Sequence, residues 1–217
     1  MANRHWLYGG IALLLVAVVA TAYQIVAPRL QALPVYMSLP DVTLIDQAGQ
    51  SYAMSQTRGR VVVLAIIYTH CPDVCPLTTA RMRQIQQRLQ SAGESSQVEL
   101  VSVTVDPNRD TPDVLQRFAA LYKVDTANWA FLTGASDQIK VVTTRLKVYV
   151  EAVYLVDGSY VPRTSLLQPP SADMPYFVNH TDLLFLADRQ GRVRALPPGS
   201  RSNVDDVMTL INQLLRE

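Results

Sequence analysis

Charge of one sign is missing from this sequence. Its 217 residues carry 19 Lys and Arg against 18 Asp and Glu, a net charge of +1. There is no Lys/Arg-rich run and no basic stripe interleaved with aromatics, so the electrostatic footprint of a nucleic-acid binder is absent. Internal repeats and low-complexity tracts are absent too. With 49% hydrophobic and 17% charged residues, the composition is that of a folded chain rather than a disordered one. Cysteine is nearly absent: the only two, Cys71 and Cys75, stand four apart. A disulfide between them would close a tiny loop and restrict the unfolded chain little, which argues against a purely structural bridge. Histidine is scarce as well, with His5, His70 and His180 the only candidates to join the thiols at a metal.

One long apolar run is present, from Trp6 to about residue 27, with Ile11 to Ala20 uncharged. About 20 apolar residues suffice to span a bilayer as a helix. Trp6, Tyr8 and Tyr23 stand at its ends, where amphipathic rings favour the headgroup region. An uncleaved signal anchor and a removed signal peptide both fit, since Ala20-Thr21-Ala22 resembles a small-residue cleavage site. No cysteine follows the run, which excludes lipid attachment at one. Arg4 and Arg29 flank opposite ends and hardly decide orientation. The few residues before the run hold one Arg and no Ser, unlike an organelle transit peptide, and fit a bacterial exported protein. The expected organisation is a short tail (1–5), a transmembrane signal anchor (6–27), a linker (28–40) with Pro28, Pro34 and Pro40, and a domain over 41–217. The anchor predicts an inner-membrane, single-pass protein with its soluble part in the periplasm.

Within the domain, 42–45 and 51–53 flank the turn residues 46–49 and predict a hairpin. Val61 to Tyr68 is apolar on both faces, as expected of a central strand. A helix follows over about 75–90, a second buried strand over 98–105, and a helix opening at Asp110-Thr111-Pro112 with a cap residue and an early proline. Trp129 to Leu132 predicts a short strand, and Ile139, Val142 and Leu146 a helix. A hairpin is expected over 183–187 and 193–196, then a last helix bearing Val204, Val207, Met208, Ile211, Leu214 and Leu215 on one stripe. The order implies an α/β fold with a mixed central sheet flanked by helices. The stretch 151–179, with four prolines, predicts a long loop with a small hairpin near Asp157-Gly158.

Cys71-Pro72-Asp73-Val74-Cys75-Pro76 falls where the central strand ends and a helix begins, and ligands of open α/β sheets bind outside the carboxyl ends of the strands. Residues i and i+4 share a helical face with a rise of about 6 Å, inside the range of about 4.4 to 6.8 Å that a disulfide accepts. A helix N-terminus lowers a thiol below its usual pKa of about 8.5. The pair therefore suits a redox dithiol or a metal site, and two soft thiolates favour Cu(I) while also accepting zinc. For a third ligand, His5 is membrane-proximal, strand alternation turns His70 away from the thiols, and His180 ends the long loop. A lone histidine is also commonly a hydrogen-bonded surface or core residue. Asp106, at the carboxyl end of its strand, is a candidate for bonding near the site, docking a partner or stabilising its loop. Asp73 either tunes thiol acidity and partner recognition or is solvated in a turn. Arg109 and Asp110 are assigned to loop and cap structure.

Thr69-His-Cys-Pro-Asp-Val-Cys-Pro76 resembles the motif of the Sco/SenC copper proteins. The similarity continues in 103–111, in Leu132-Thr-Gly134 and in Val178-Asn-His-Thr181, spanning about 38–215. The resemblance implies a thioredoxin-like fold, a single N-terminal anchor and a role in assembling the copper centre of cytochrome c oxidase. It also implies copper held by Cys71, Cys75 and His180. Members usually have an aspartate before the ligand histidine where this chain has Asn179, and the preceding loop looks longer than usual. A neutral amide beside the ligand bears on copper affinity and on the Cu(I)/Cu(II) balance.

Two functions follow. One is a metallochaperone, not a turnover enzyme, that binds copper reversibly in both oxidation states and passes it to an apo acceptor such as an oxidase subunit. The other is a thiol–disulfide oxidoreductase in which Cys71 and Cys75 keep an acceptor's cysteines reduced. A thiol peroxidase with a peroxidatic and a resolving cysteine is a third and weaker reading.

Overall fold

The structure is a computed structural model and describes residues 11, 13–18, 21, 32–156, 159–163 and 175–217. The chain divides into two compact units, Met1–Pro34 and Val35–Glu217. In the first, the described residues 11, 13–18 and 21 are helical, and Leu13, Leu14, Leu15, Val16 and Val18 expose apolar side chains. The rest of the expected anchor 6–27 lies outside the described residues. Among the described residues no helix is long and apolar enough to cross a membrane.

The second unit is built on an eight-stranded mixed sheet. Its strands are β1 (Met37–Ser38), β2 (Thr43–Asp46), β3 (Ser51–Ala53), β4 (Val61–Ile67), β5 (Val98–Thr104), β6 (Trp129–Thr133), β10 (Leu184–Ala187) and β11 (Arg192–Ala195), in the order β1-β11-β10-β4-β5-β6-β2-β3. β4, β5 and β6 run parallel, and every residue of all three is buried, as expected of central strands that are largely apolar on both faces. The crossovers are α1 (Val74–Ala92) between β4 and β5, and α2 (Pro112–Leu121) between β5 and β6. Two further helices, α3 (Ser136–Arg145) and α4 (Val204–Arg216), complete the set; α4 packs on α1, β4 and β10. Asn203 caps α4 by accepting the Asp205 N–H. Gly93 ends α1 in the left-handed region (φ +71°), with the Gly93 and Glu94 N–H groups turned back onto the Gln90 and Leu89 carbonyls.

Two expectations change. Residues 37–38 of the expected linker form β1, paired with Val193 and Arg192. The stretch expected as a long loop is instead mostly a second antiparallel sheet, β7 (Val150–Val156), β8 (Ser159–Arg163) and β9 (Tyr176–His180), in the order β8-β7-β9. Among the described side chains of this sheet Ala152, Tyr154 and Val178 are buried, with Ala152 and Tyr154 on alternate positions of β7. Pro162 does not prevent this, because β8 is an edge strand and a ladder donor is not needed on its open side. The hairpin expected at Asp157-Gly158 is confirmed by the β7–β8 pairing, while its two turn residues and 164–174 lie outside the described residues.

Several polar groups in the core are matched. Trp129 Nε1 donates to Ser102 Oγ at 3.0 Å. Glu99, buried on β5, accepts the Tyr52 hydroxyl at 2.8 Å and pairs with Arg60. Removing Arg60 strands that carboxylate. Arg60→Ala is expected to lower unfolding free energy by about 2 kcal/mol, below the range for fully buried pairs because Arg60 is 30% exposed. Urea titration checks this, and an unchanged midpoint would contradict it.

Candidate metal centre

The cysteine loop leaves the carboxyl end of β4. Cys71 N–H turns back onto the Tyr68 carbonyl at 3.3 Å. Thr69 donates its N–H (3.0 Å) and hydroxyl (2.5 Å) to Asp110, whose carboxylate also accepts the Thr104 hydroxyl at 2.5 Å. Asp110 is fully buried, and burial raises its pKa above the ordinary carboxylate value. The expected cap role fails here. Thr111 is the N-cap of α2, without a side-chain cap bond, and Asp110 instead ties the root of the cysteine loop to the end of β5.

Cys71 lies just ahead of α1, whose N-cap is Asp73. The first turn of a helix leaves N–H groups without intrahelical partners, and Cys71 Sγ accepts one of them, from Cys75, at 3.4 Å. The Cys71 thiol is held down to about 5, first by the hydrogen bond from the Cys75 thiol and then, against its own burial, by the Cys75 and Asp73 N–H groups and by His180. Asp73 thus acts on thiol acidity through its backbone, and its side chain is exposed. Cys75 is driven the other way, well above the ordinary thiol range, by the bond it gives Cys71 and by burial. One sulfur carries the charge and the other the proton.

His180 ends β9, and its Nε2 lies 3.2 Å from Cys75 Sγ. Its Nδ1 is 3.0 Å from the Thr181 carbonyl oxygen. A carbonyl only accepts, so Nδ1 carries a proton and donates to it, which leaves Nε2 facing the sulfur. Thiolate and imidazole bonds of about 2.3 and 2.0 Å to one tetrahedral ion put the two donor atoms about 3.5 Å apart, a few tenths beyond the separation found. Among the described residues, no three or more Cys, His, Asp or Glu side chains form a ready-made cage. Instead Cys75 is in hydrogen-bond reach of both His180 and Cys71. Two sulfurs and one imidazole form a soft donor set suited to Cu(I). Cys71 and His180 line an open pocket of about 650 Å³ whose walls also include Tyr68, Pro72, Phe177 and Val178, while Cys75 is buried.

Several residues that the sequence did not flag hold this arrangement. Tyr68, the last residue of the apolar run, accepts the Val178 N–H at 3.3 Å, keeps its own proton for Cys71, and meets the His180 ring edge-on at 6.0 Å. Burial raises its pKa well above the ordinary phenol value. Arg109, assigned from sequence to loop structure, reaches across to β9. It pairs with Asp106, donates to the Tyr176 carbonyl at 3.1 Å, and stacks 3.7 Å over the Tyr176 ring. Asp106 in turn accepts the Tyr176 hydroxyl at 2.6 Å and also takes part in the bonds of its own loop, through its N–H to Thr104 and its carbonyl to the Arg109 and Asp110 N–H groups. Asn179 is exposed, and the Nδ1 partner of His180 is the Thr181 carbonyl rather than that amide. His70 is turned toward Thr69 and Asp110, and it lies in the turn beyond β4, where the expected strand alternation does not apply. His5 lies outside the described residues.

Comparison with known proteins follows the same lines. The chain is 33% identical over 125 residues to the SCO1 protein homolog of Bacillus subtilis, covering 58% of this chain and 63% of that one. The chain thus spans less than two thirds of that relative's length. Its fold matches the structure of Bradyrhizobium japonicum ScoI with copper bound at a TM-score of 0.65 and 23% identity, over 82% of this chain and 99% of the other. It also matches BsSco, a member of the Sco family of cytochrome c oxidase assembly proteins with a disulfide switch, at 0.65 and 24% identity, over 86% and 98%. The fold is thus the thioredoxin-like one of the Sco structures, as the motifs imply. The SCO1/SenC family model matches residues 38–216, and the chain belongs to that family.

Proposed function

We propose that this chain carries copper on Cys71, Cys75 and His180 and delivers it to an apo acceptor, a cytochrome c oxidase subunit. The observation that carries the reading is the approach of His180 Nε2 to within 3.2 Å of Cys75 Sγ across 105 residues of sequence, with the other ring nitrogen committed to a carbonyl. A metal ligand needs that geometry. Bradyrhizobium japonicum ScoI has copper bound on this fold, which supports copper as the cargo. BsSco belongs to a family of cytochrome c oxidase assembly proteins, which supports oxidase assembly as the setting. Copper is cargo here rather than a resident cofactor, so the site must release it. Three donors and an open pocket suit release better than a closed four-ligand site.

The ligand set is tested by anaerobic Cu(I) titration of the reduced protein against a competing chelator. Wild type is expected to bind one equivalent. His180→Ala should lose more than the roughly 10–100-fold typical of an outer-shell partner, and the double Cys71→Ser, Cys75→Ser variant should not bind. Affinity indifferent to His180 would remove it from the set.

The proton asymmetry of the thiols supports a second activity at the same sulfurs. Cys71 is half-buried and carries the low pKa, while Cys75 is buried and protonated. In a reductase, the Cys71 thiolate attacks an acceptor disulfide and displaces one acceptor thiol. Cys75 then loses its proton and attacks Cys71, releasing the second thiol and leaving a Cys71–Cys75 disulfide. Alkylation by iodoacetamide separates the two sulfurs by pH. Thiolate forms as pH rises through the thiol pKa, so Cys71 labelling should climb near pH 5 and be flat by pH 7, with Cys75 unlabelled. A single rise near the free-thiol pKa of about 8.5 would contradict the asymmetry.

The apolar N-terminal segment is read as a retained anchor holding the domain on the periplasmic side of the inner membrane. Full-length protein should stay with alkaline-washed membranes and a chain starting at Arg29 should not. Release of both would mean that the segment is cleaved.

A further inference from the structure

Beyond His180 the chain is gripped from both sides. Thr181 donates its N–H to the Tyr149 carbonyl at 3.1 Å, and its hydroxyl accepts the Tyr149 N–H at 2.9 Å. Asp182 is held harder. Oδ1 accepts the Thr78 hydroxyl at 2.9 Å, Oδ2 accepts the Ser200 hydroxyl at 2.6 Å, and the Ser200 N–H lies 3.1 and 3.0 Å from the two oxygens. Its backbone carbonyl also accepts the Gly199 N–H at 3.1 Å.

Where these bonds land matters. Thr78 is buried on α1 three residues after Cys75, so it lies on the same face one turn along. Gly199 belongs to the turn that closes over the carboxylate. A methyl group there would stand 2.0 Å from Asp182 Oδ1 and 3.0 Å from Thr78 Oγ1, so only glycine lets the turn approach. The Thr181 carbonyl, between these anchors, is the group that takes the His180 Nδ1 proton.

We propose that Asp182 is the positioning residue of His180. By tying residue 182 to the helix that carries Cys75 and to the 199–200 turn, it fixes the Thr181 carbonyl. That carbonyl in turn selects the ring tautomer and aims Nε2 at the sulfur. Asp182 does this without touching the ring, and its effect on copper rests on the proposal that His180 is a ligand. Its effect on the ring does not. Side chains that orient a metal-binding histidine through a backbone group keep the ligand ready before the metal arrives, which lowers the ordering cost of binding.

The test uses the full chain, reduced, metal-free and nitrogen-15 labelled. The side-chain spectrum of His180, assigned by its loss in His180→Ala, should show one ring form, protonated at Nδ1 and not at Nε2. In Asp182→Ala the ring nitrogens should move toward the average of the two tautomers, and Cu(I) affinity should fall about tenfold. Thr78→Val cuts only the link to α1 and should shift both readouts in the same direction by less. Asp182→Asn keeps one oxygen for Thr78 and should restore part of the loss. Should Asp182→Ala fail to fold, Thr78→Val decides. A wild-type ring spectrum in a folded Thr78→Val or Asp182→Ala would overturn the proposal. A ring that shifts as expected, in a protein whose copper affinity ignores His180, would uphold the positioning role and sink the copper ligand instead.

Discussion

Antiparallel pairing of β10 with β4 is the constraint from which the site follows. Leu184 pairs with Ala65 and Ala187 with Val62, so β10 begins beside the carboxyl end of β4. The chain just before β10 therefore arrives where the chain just after β4 departs. That is how His180 meets Cys75 although 105 residues separate them. Side-chain direction in a strand alternates with period two, so a slip of one residue would exchange the faces of β10 and lift the histidine out of reach. The register is protected by burial: Leu184, Phe185, Leu186 and Ala187 are all buried, and so is every residue of β4. The stability of the sheet and the geometry of the site are in this sense one requirement.

Around that meeting point the helix N-terminus of α1 sets the electrostatics. Its unpaired N–H groups and the Cys75 proton converge on Cys71, leaving a thiolate at the pocket surface and a thiol beneath it. Under the proposed function, copper and a disulfide would compete for the same two sulfurs, and the oxidation state of the pair would decide whether cargo can load. The network of Asp106, Arg109 and Tyr176 anchors the near end of β9, while Tyr68 joins Val178 to Cys71. The histidine strand is thus tied to the loop that carries the thiols.

Much of this was legible in the sequence, for identifiable reasons. The CxxxC pair is contiguous, so its spacing at a strand–helix junction could be read directly. β4, β5 and β6 are buried on both faces, and β4 announces itself as an unbroken apolar run. The three-stranded sheet β7–β9 was not legible, because Pro162 and its neighbours signal a loop, and nothing local shows that Pro162 falls on an edge strand. Asp110 was misjudged for a related reason. Asp-Thr-Pro is a good local cap pattern, but Thr69, 41 residues away, and Thr104 at the end of β5 offered the carboxylate partners that its own helix did not. Arg109 and Tyr176 are 67 residues apart, and their stacking depends on where β9 docks. His180 was nominated by resemblance and by elimination among three histidines. Its tautomer and aim come only from the three-dimensional structure.

The central claim is that two sulfurs and one imidazole nitrogen converge on a single copper ion. X-ray absorption of the copper-loaded protein counts those donors directly. The account predicts a first shell of two sulfur scatterers and one nitrogen, with the outer-shell pattern of an imidazole that disappears in His180→Ala. A sulfur-only shell, or an imidazole pattern that persists without His180, would contradict it.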